Sequence, residues 1–179
     1  MISIETQRAY IAGLIDGEGC ILIKRRLPTS RNRMRTPKFA ASFSIAMTDE
    51  APVRMVANYV GNPESVGWRD RPGCKRIFEY EIENARAVNL IREVMPYLVG
   101  KRRQAELVLE FSELKAASRS HRTKVLGVRA FSKGRNAGGE YRVLGMSDEF
   151  VERCEVIYRQ VNPLNPKAGQ GVYFPEVRQ

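Results

Sequence analysis

The segment Ile11-Ala12-Gly13-Leu14-Ile15-Asp16-Gly17-Glu18-Gly19 constrains the fold more than any other part of the chain. From Ser3, an N-cap residue, through Gly17 the apolar residues Tyr10, Ile11, Leu14 and Ile15 recur with the period of a helix. Gly13 and Gly17 are four residues apart, so they share one helical face, and Ala9 extends the small-residue stripe. An interior Gly costs a helix about 1 kcal/mol relative to Ala, which predicts that another helix backbone approaches this face. Ala9, Ala12, Gly13 and Gly17 are the residues expected at that contact.

Asp16 and Glu18 then fall at the C-terminal end of the helix, where the macrodipole disfavours carboxylates, so a compensating cation is expected. A divalent ion held by carboxylate and carbonyl oxygens would serve, and Mg²⁺ takes such sparse, partly hydrated sites. Taken singly, each residue also has a plainer reading: Gly13 as a packing glycine, Asp16 as a helix-end hydrogen-bonding group, Glu18 as a solvated acid.

Downstream, Cys20–Leu27 and Lys38–Thr48 alternate in the manner of strands around a Pro/Ser/Arg-rich turn, predicting a long hairpin. Phe39, Ala41, Phe43, Ile45 and Met47 share its inward face. Asp49–Val60 reads as a helix stopped at Gly61, and Val66–Arg71, Pro72-Gly73 and Lys75–Ile82 as a second hairpin. Helices follow at Ala85–Met95 and Lys101–Ala117, then a basic loop over 118–146, a helix over 147–161 and an extended tail over 162–179. The order predicts one α+β domain over 1–179, with its core at about 3–117 and helices packed on one face of an antiparallel sheet. A length of 179 residues suits a single core.

Hydrophobic residues at 43% and charged residues at 28% belong to a folded chain rather than a disordered one. Three cysteines without metal-type spacing and a single histidine, His121, build neither a disulfide framework nor a zinc site. With no apolar run long enough to span a bilayer and a polar start, the expected location is intracellular, in cytoplasm, nucleoid or organellar matrix, without secretion or a membrane anchor. The formal charge of +10, from 30 Lys and Arg against 20 Asp and Glu, attracts polyanions without choosing among DNA, RNA and anionic lipid.

The nine-residue segment resembles the LAGLIDADG motif of the homing endonucleases: it matches Ala-Gly-Leu-Ile-Asp, then has Gly at the variable small position, Glu for the second acid and the final Gly, with Ile11 for the leading Leu. Met95-Pro96-Tyr97-Leu98-Val99-Gly100-Lys101 resembles the family's proline-led turn into a helix bearing an active-site lysine, so the likeness covers about residues 5–115. It implies an α-β-β-α-β-β-α core with a saddle-shaped antiparallel sheet that binds DNA. A single motif copy implies a homodimer paired through the motif helices. By position, Glu18 is the catalytic, metal-binding acid, the Gly17 carbonyl a further ligand for Mg²⁺ or Mn²⁺, Asp16 a helix-end support, and Lys101 a catalytic lysine. The activity implied is staggered, metal-dependent cutting of a long near-palindromic double-stranded DNA site. The chain departs from the family at Ile45-Ala46-Met47-Thr48-Asp49, where many relatives carry Gln or Asn.

Between Lys24 and Lys38, seven of fifteen residues are Lys or Arg and none is acidic, a density that suits phosphates. The outward face of the first hairpin presents Cys20, Leu22, Lys24 and Arg26 on one strand and Lys38, Ala40, Ser42 and Ser44 on the other. These resemble the family's base-reading positions, and a two-stranded ribbon fits the major groove. Arg69, Arg71 and Lys75 extend the surface, Arg31, Arg33 and Arg35 in the turn are expected on phosphates, and the lone Trp68, which could sit beside the second hairpin's cations, is expected to pack. Lys115–Lys124 offers either a backbone grip or a solvated helix end. The rival reading is a cleavage-inactive DNA-binding regulator, or a maturase acting on intron RNA, on the same fold.

Overall fold

The computed structural model describes residues 3–29, 36–124 and 147–164. The turn carrying Arg31, Arg33 and Arg35, most of the expected basic loop and the tail beyond Leu164 lie outside the described residues. The elements run α1 (Ile4–Glu18), β1 (Gly19–Arg26), β2 (Lys38–Met47), α2 (Glu50–Val60), β3 (Gly67–Arg69), β4 (Ile77–Glu83), α3 (Ala85–Val94), α4 (Arg102–Lys124) and α5 (Asp148–Val161). One four-stranded antiparallel sheet has the order β1-β2-β4-β3, so β2 and β4 are interior and β1 and β3 are edges. The α+β expectation and the α-β-β-α-β-β-α order both hold.

Local chemistry sets the element ends. The Ser3 side chain accepts from the Thr6 N–H at the start of α1, Asp49 caps α2 through the Ala51 N–H, and Ser147 caps α5 through the Phe150 N–H. Gly61 ends α2 in the left-handed region at φ 77°, a conformation open to Gly without strain. Period two then decides the sheet: Ile21, Ile23, Phe39, Ala41, Phe43, Ile45, Tyr80 and Ile82 all face the helices and are buried. Ile11, Ala12 and Ile15 of α1 pack into the same core. Each fully buried large side chain, Phe43 and Phe111 among them, contributes about 2 kcal/mol from burial.

The structure revises several expectations. The second hairpin is shorter than its alternating residues imply: β3 has three residues, and 70–76 form a loop closed by Arg76 donating to both Asp70 carboxylate oxygens at 2.8 and 2.9 Å. Trp68 does not pack; it is 62% exposed, and the Arg76 guanidinium lies 5.7 Å from its ring centroid. It lies opposite Phe78, on the helix side of the sheet at the edge strand β3. α4 continues to Lys124, well past Ala117. Lys115 does not point to a backbone grip, since its ammonium donates to the Phe39 carbonyl at 3.0 Å and to Asn84 Oδ1 at 2.9 Å. It thereby secures Asn84, which has φ 57° just before α3.

α5 belongs to the core, with Phe150, Cys154, Ile157 and Val161 buried. The Asn162 amide accepts from the Ile23 N–H and donates to the Ile23 carbonyl, both at 3.3 Å, and so covers the edge of β1. Burial pushes the Cys154 thiol up to about 11, which leaves it unreactive.

Candidate active site and nucleic-acid interface

α1 ends against the turn that leads into α4, and the two helix ends exchange charges. The Asp16 carboxylate accepts from the Val99 N–H and the Lys101 N–H, each at 2.8 Å, at the positive end of α4. In return the Lys101 ammonium donates to the Ile15 carbonyl at 2.7 Å and the Asp16 carbonyl at 2.8 Å, at the negative end of α1. The cation expected at this helix end is therefore supplied within the chain by Lys101. The Asp16 carboxylate thus lies between the end of α1 and the start of α4.

Gly19 explains the final glycine of the motif. A Cβ there would lie 2.8 Å from the Ile15 Cα and 3.1 Å from the Phe43 ring, so only Gly lets the chain turn from α1 directly into β1. Glu18 is the last residue of α1 and is exposed, one residue before the sheet. Gly13 and Gly17 are also exposed, and a Cβ at either would meet no atom within 4 Å, so among the described residues nothing packs on the glycine stripe. Ala9 and a half-exposed Tyr10 continue that stripe. Ala12 does not: it is 0% exposed, turned into the core beside Ile11 and Ile15, so no second chain can touch it. A step of one residue from Gly13 rotates a side chain by about 100°, enough to move Ala12 from the open face to the packed one.

Among the described residues no three His, Cys, Asp or Glu side chains lie close enough together to hold a metal ion. Glu18 is one hard oxygen donor, and a Mg²⁺ site of the sparse kind takes one or two carboxylates plus phosphate oxygens and water. Among the described residues the set at this helix end would have to be completed by phosphate oxygens and water.

The strand register places Leu22, Lys24 and Arg26 of β1 opposite Ser42, Ala40 and Lys38 of β2, on the face away from the helices, and Ser44 joins them. Arg69 of β3 lies on that face too, while Arg71 and Lys75 are exposed in the adjoining loop. Two of the expected readers are covered: Ala40 is 8% and Ser42 1% exposed. They are short, and longer neighbours fold over them. Lys24 reaches across β2 to pair with Glu81 and, at 3.2 Å, with Glu83; Ser42 Oγ donates to Glu81 at 3.1 Å. Arg25, part of the basic run, turns to the helix side, where it pairs with Glu155 at 2.9 Å and lies 4.9 Å from the Tyr158 ring centroid.

The sequence reading missed the acids of this face. Glu79, Glu81 and Glu83 alternate with Phe78, Tyr80 and Ile82, so the same period-two count that buries the apolar set points all three outward. Arg26 pairs with Glu83 at 2.7 and 2.9 Å, and Arg69 with Glu79 at 3.5 Å.

No family model and no curated protein matches this sequence. Solved structures do. The chain is similar to the archaeal intron-encoded homing endonuclease I-Vdi141I complexed with DNA, at TM-score 0.62 and 12% identity over 92% of this chain and 87% of that one. It is similar to the LAGLIDADG homing endonuclease I-LtrWI bound to target DNA, at TM-score 0.61 and 17% identity over 99% of this chain; it spans 54% of that longer chain. A third, the homing endonuclease I-CvuI in complex with a target DNA in the presence of 2 mM Mg, matches at TM-score 0.51 and 18% identity, over 86% of this chain and 95% of that one. The fold is that of the LAGLIDADG homing endonucleases, as the nine-residue motif implies.

Proposed function

We propose that this protein is a site-specific double-strand DNA endonuclease that acts as a homodimer and requires a divalent cation, Mg²⁺ or Mn²⁺. The observation that carries the reading is the open glycine face of α1, where a Cβ added at Gly13 or Gly17 would meet no atom of the described residues within 4 Å, on a helix that ends in the exposed acid Glu18. A carboxylate at the negative end of a helix is disfavoured by the macrodipole, which Lys101 offsets here at the last carbonyls of α1. Two such helices meeting at Ala9, Gly13 and Gly17 bring two Glu18 side chains together, one for each DNA strand.

Glu18 and the Gly17 carbonyl would hold the cation, which when bound supplies charge neutralisation at the scissile phosphate and a nucleophile at neutral pH. Glu18 orients and binds; Asp16 and Lys101 fix the end of α1 so that Glu18 is presented from a rigid element. Leu22, Lys24, Arg26, Lys38, Ser44 and Arg69 form the groove-facing surface, with Arg71 and Lys75 at its margin. The compartment proposed is one that holds DNA, and no helix among the described residues is long and apolar enough to cross a membrane.

The contacts of Lys101 favour a second reading. Its ammonium serves the carbonyls of α1, as a structural lysine would in a binding protein that no longer cleaves. Both readings meet one test: the chain is incubated with Mg²⁺ and a library of near-palindromic duplexes, and products of the wild type are compared with those of Glu18→Gln. The nuclease reading predicts staggered double-strand ends from the wild type and a loss of at least about a hundredfold in the variant. Binding of DNA or intron RNA without cutting by either protein establishes the second reading instead.

A further inference from the structure

β4 is an interior strand, so its outward row of Ile77, Glu79, Glu81 and Glu83 lies in the middle of the sheet face turned away from the helices and not on its rim. A surface that only gathered phosphates would have no use for three carboxylates there, because each repels the backbone it faces. On the strands of this face Lys24, Arg26, Lys38 and Arg69 oppose Glu79, Glu81 and Glu83, leaving one unit of positive charge where the whole chain carries +10. The cations are held and not merely adjacent. Lys24 extends over Ala40 and Ser42 to reach Glu81 and Glu83, and Arg26 grips Glu83 with both carboxylate oxygens inside 3 Å. Burial pulls the Lys24 pKa down, but its hydrogen bonds with Glu81 and Glu83 outweigh that and raise it, so Lys24 stays charged within the network.

We propose that Glu81 and Glu83 are specificity-determining residues that keep Lys24 and Arg26 in internal ion pairs against random DNA and release them only over C·G base pairs. The proposal rests on the DNA-binding reading of this face. In the major groove a carboxylate accepts from the cytosine N4 amino group, and Lys or Arg donates to guanine O6 and N7. A C·G pair offers both partners side by side, so each half of a split Lys24–Glu81 or Arg26–Glu83 pair finds a new one. At other sequences the opened carboxylate is left unpaired near phosphates, a penalty against the wrong partner.

The test uses the full chain, with alternating d(GC) and alternating d(AT) duplexes of about 30 base pairs as probes, binding followed by fluorescence anisotropy across a salt series. Glu81→Gln/Glu83→Gln is compared with the wild type and with Glu149→Gln/Glu152→Gln, a pair of exposed acids on α5 that carries the same change in net charge. The wild type is expected to prefer the d(GC) duplex by at least about fivefold. In the β4 variant that ratio falls toward one, and the slope of log affinity against log salt steepens by about two per chain, as two cations are freed for phosphates. The α5 control keeps the wild-type slope and ratio. An unchanged slope or an unchanged ratio in the β4 variant overturns the proposal, as does an equal response in the control. Should the wild type bind neither duplex in a salt-sensitive way, the DNA-binding reading falls with it.

Discussion

The two faces of the sheet are cut from alternate residues of the same strands, yet they do different physical work. Toward the helices, Phe43, Ile45, Tyr80 and Ile82 are sealed in an apolar core. Toward solvent, Lys24, Arg26, Ser42, Glu81 and Glu83 form a web of ion pairs and hydrogen bonds that is half open to water. Burial is paid once, on folding, and fixes the register; a slip of one residue would exchange the faces and put charges into the core. Surface ion pairs are worth little to stability, so this second face is free to rearrange around a ligand.

Mutations can separate the two. The largest effect is expected from Phe43→Ala, which empties a fully buried site next to Gly19 and should cost about 3 to 5 kcal/mol in urea unfolding. A loss below about 1 kcal/mol would place the stabilising core elsewhere. Asp16→Ala comes next, because it strips the acceptor from the Val99 and Lys101 backbone N–H groups, while the Lys101 ammonium keeps the Ile15 and Asp16 carbonyls. A loss of about 2 kcal/mol is expected by the same measurement, and a neutral result would show that the helix-end exchange is ornamental. Glu81→Gln/Glu83→Gln should change unfolding stability by less than about 1 kcal/mol, since both carboxylates are partly exposed to solvent. A larger loss would make the outward network structural and remove the contrast between the faces.

The same contrast explains what could be read from the sequence. Alternation at Phe39, Ala41, Phe43 and Ile45 and the caps at Ser3, Asp49 and Ser147 are local signals, and they place the elements to within a few residues. Asp16 could be singled out as a helix-end acid because the motif itself carries it. Pairing was not legible. Lys24 meets Glu81 only because β4 lies beside β2, and strand order is a tertiary fact that no spacing encodes. Period two turns Arg25 of the basic run to the helix side, but its partner Glu155 comes from α5 at the far end of the chain, which no spacing encodes. Ala12 was misplaced by reading small residues as a stripe without following the helix angle around to the packed side.

The most direct measurement is strand-by-strand cleavage by mixed dimers. Wild type and Glu18→Gln chains, mixed in equal amounts and given Mg²⁺ and a cleavable duplex, should form hybrids that nick one strand and leave the other whole. Nicked product absent from the mixture, or double-strand cutting undiminished in pure Glu18→Gln, would contradict the claim that two copies of α1 deliver one acid to each strand.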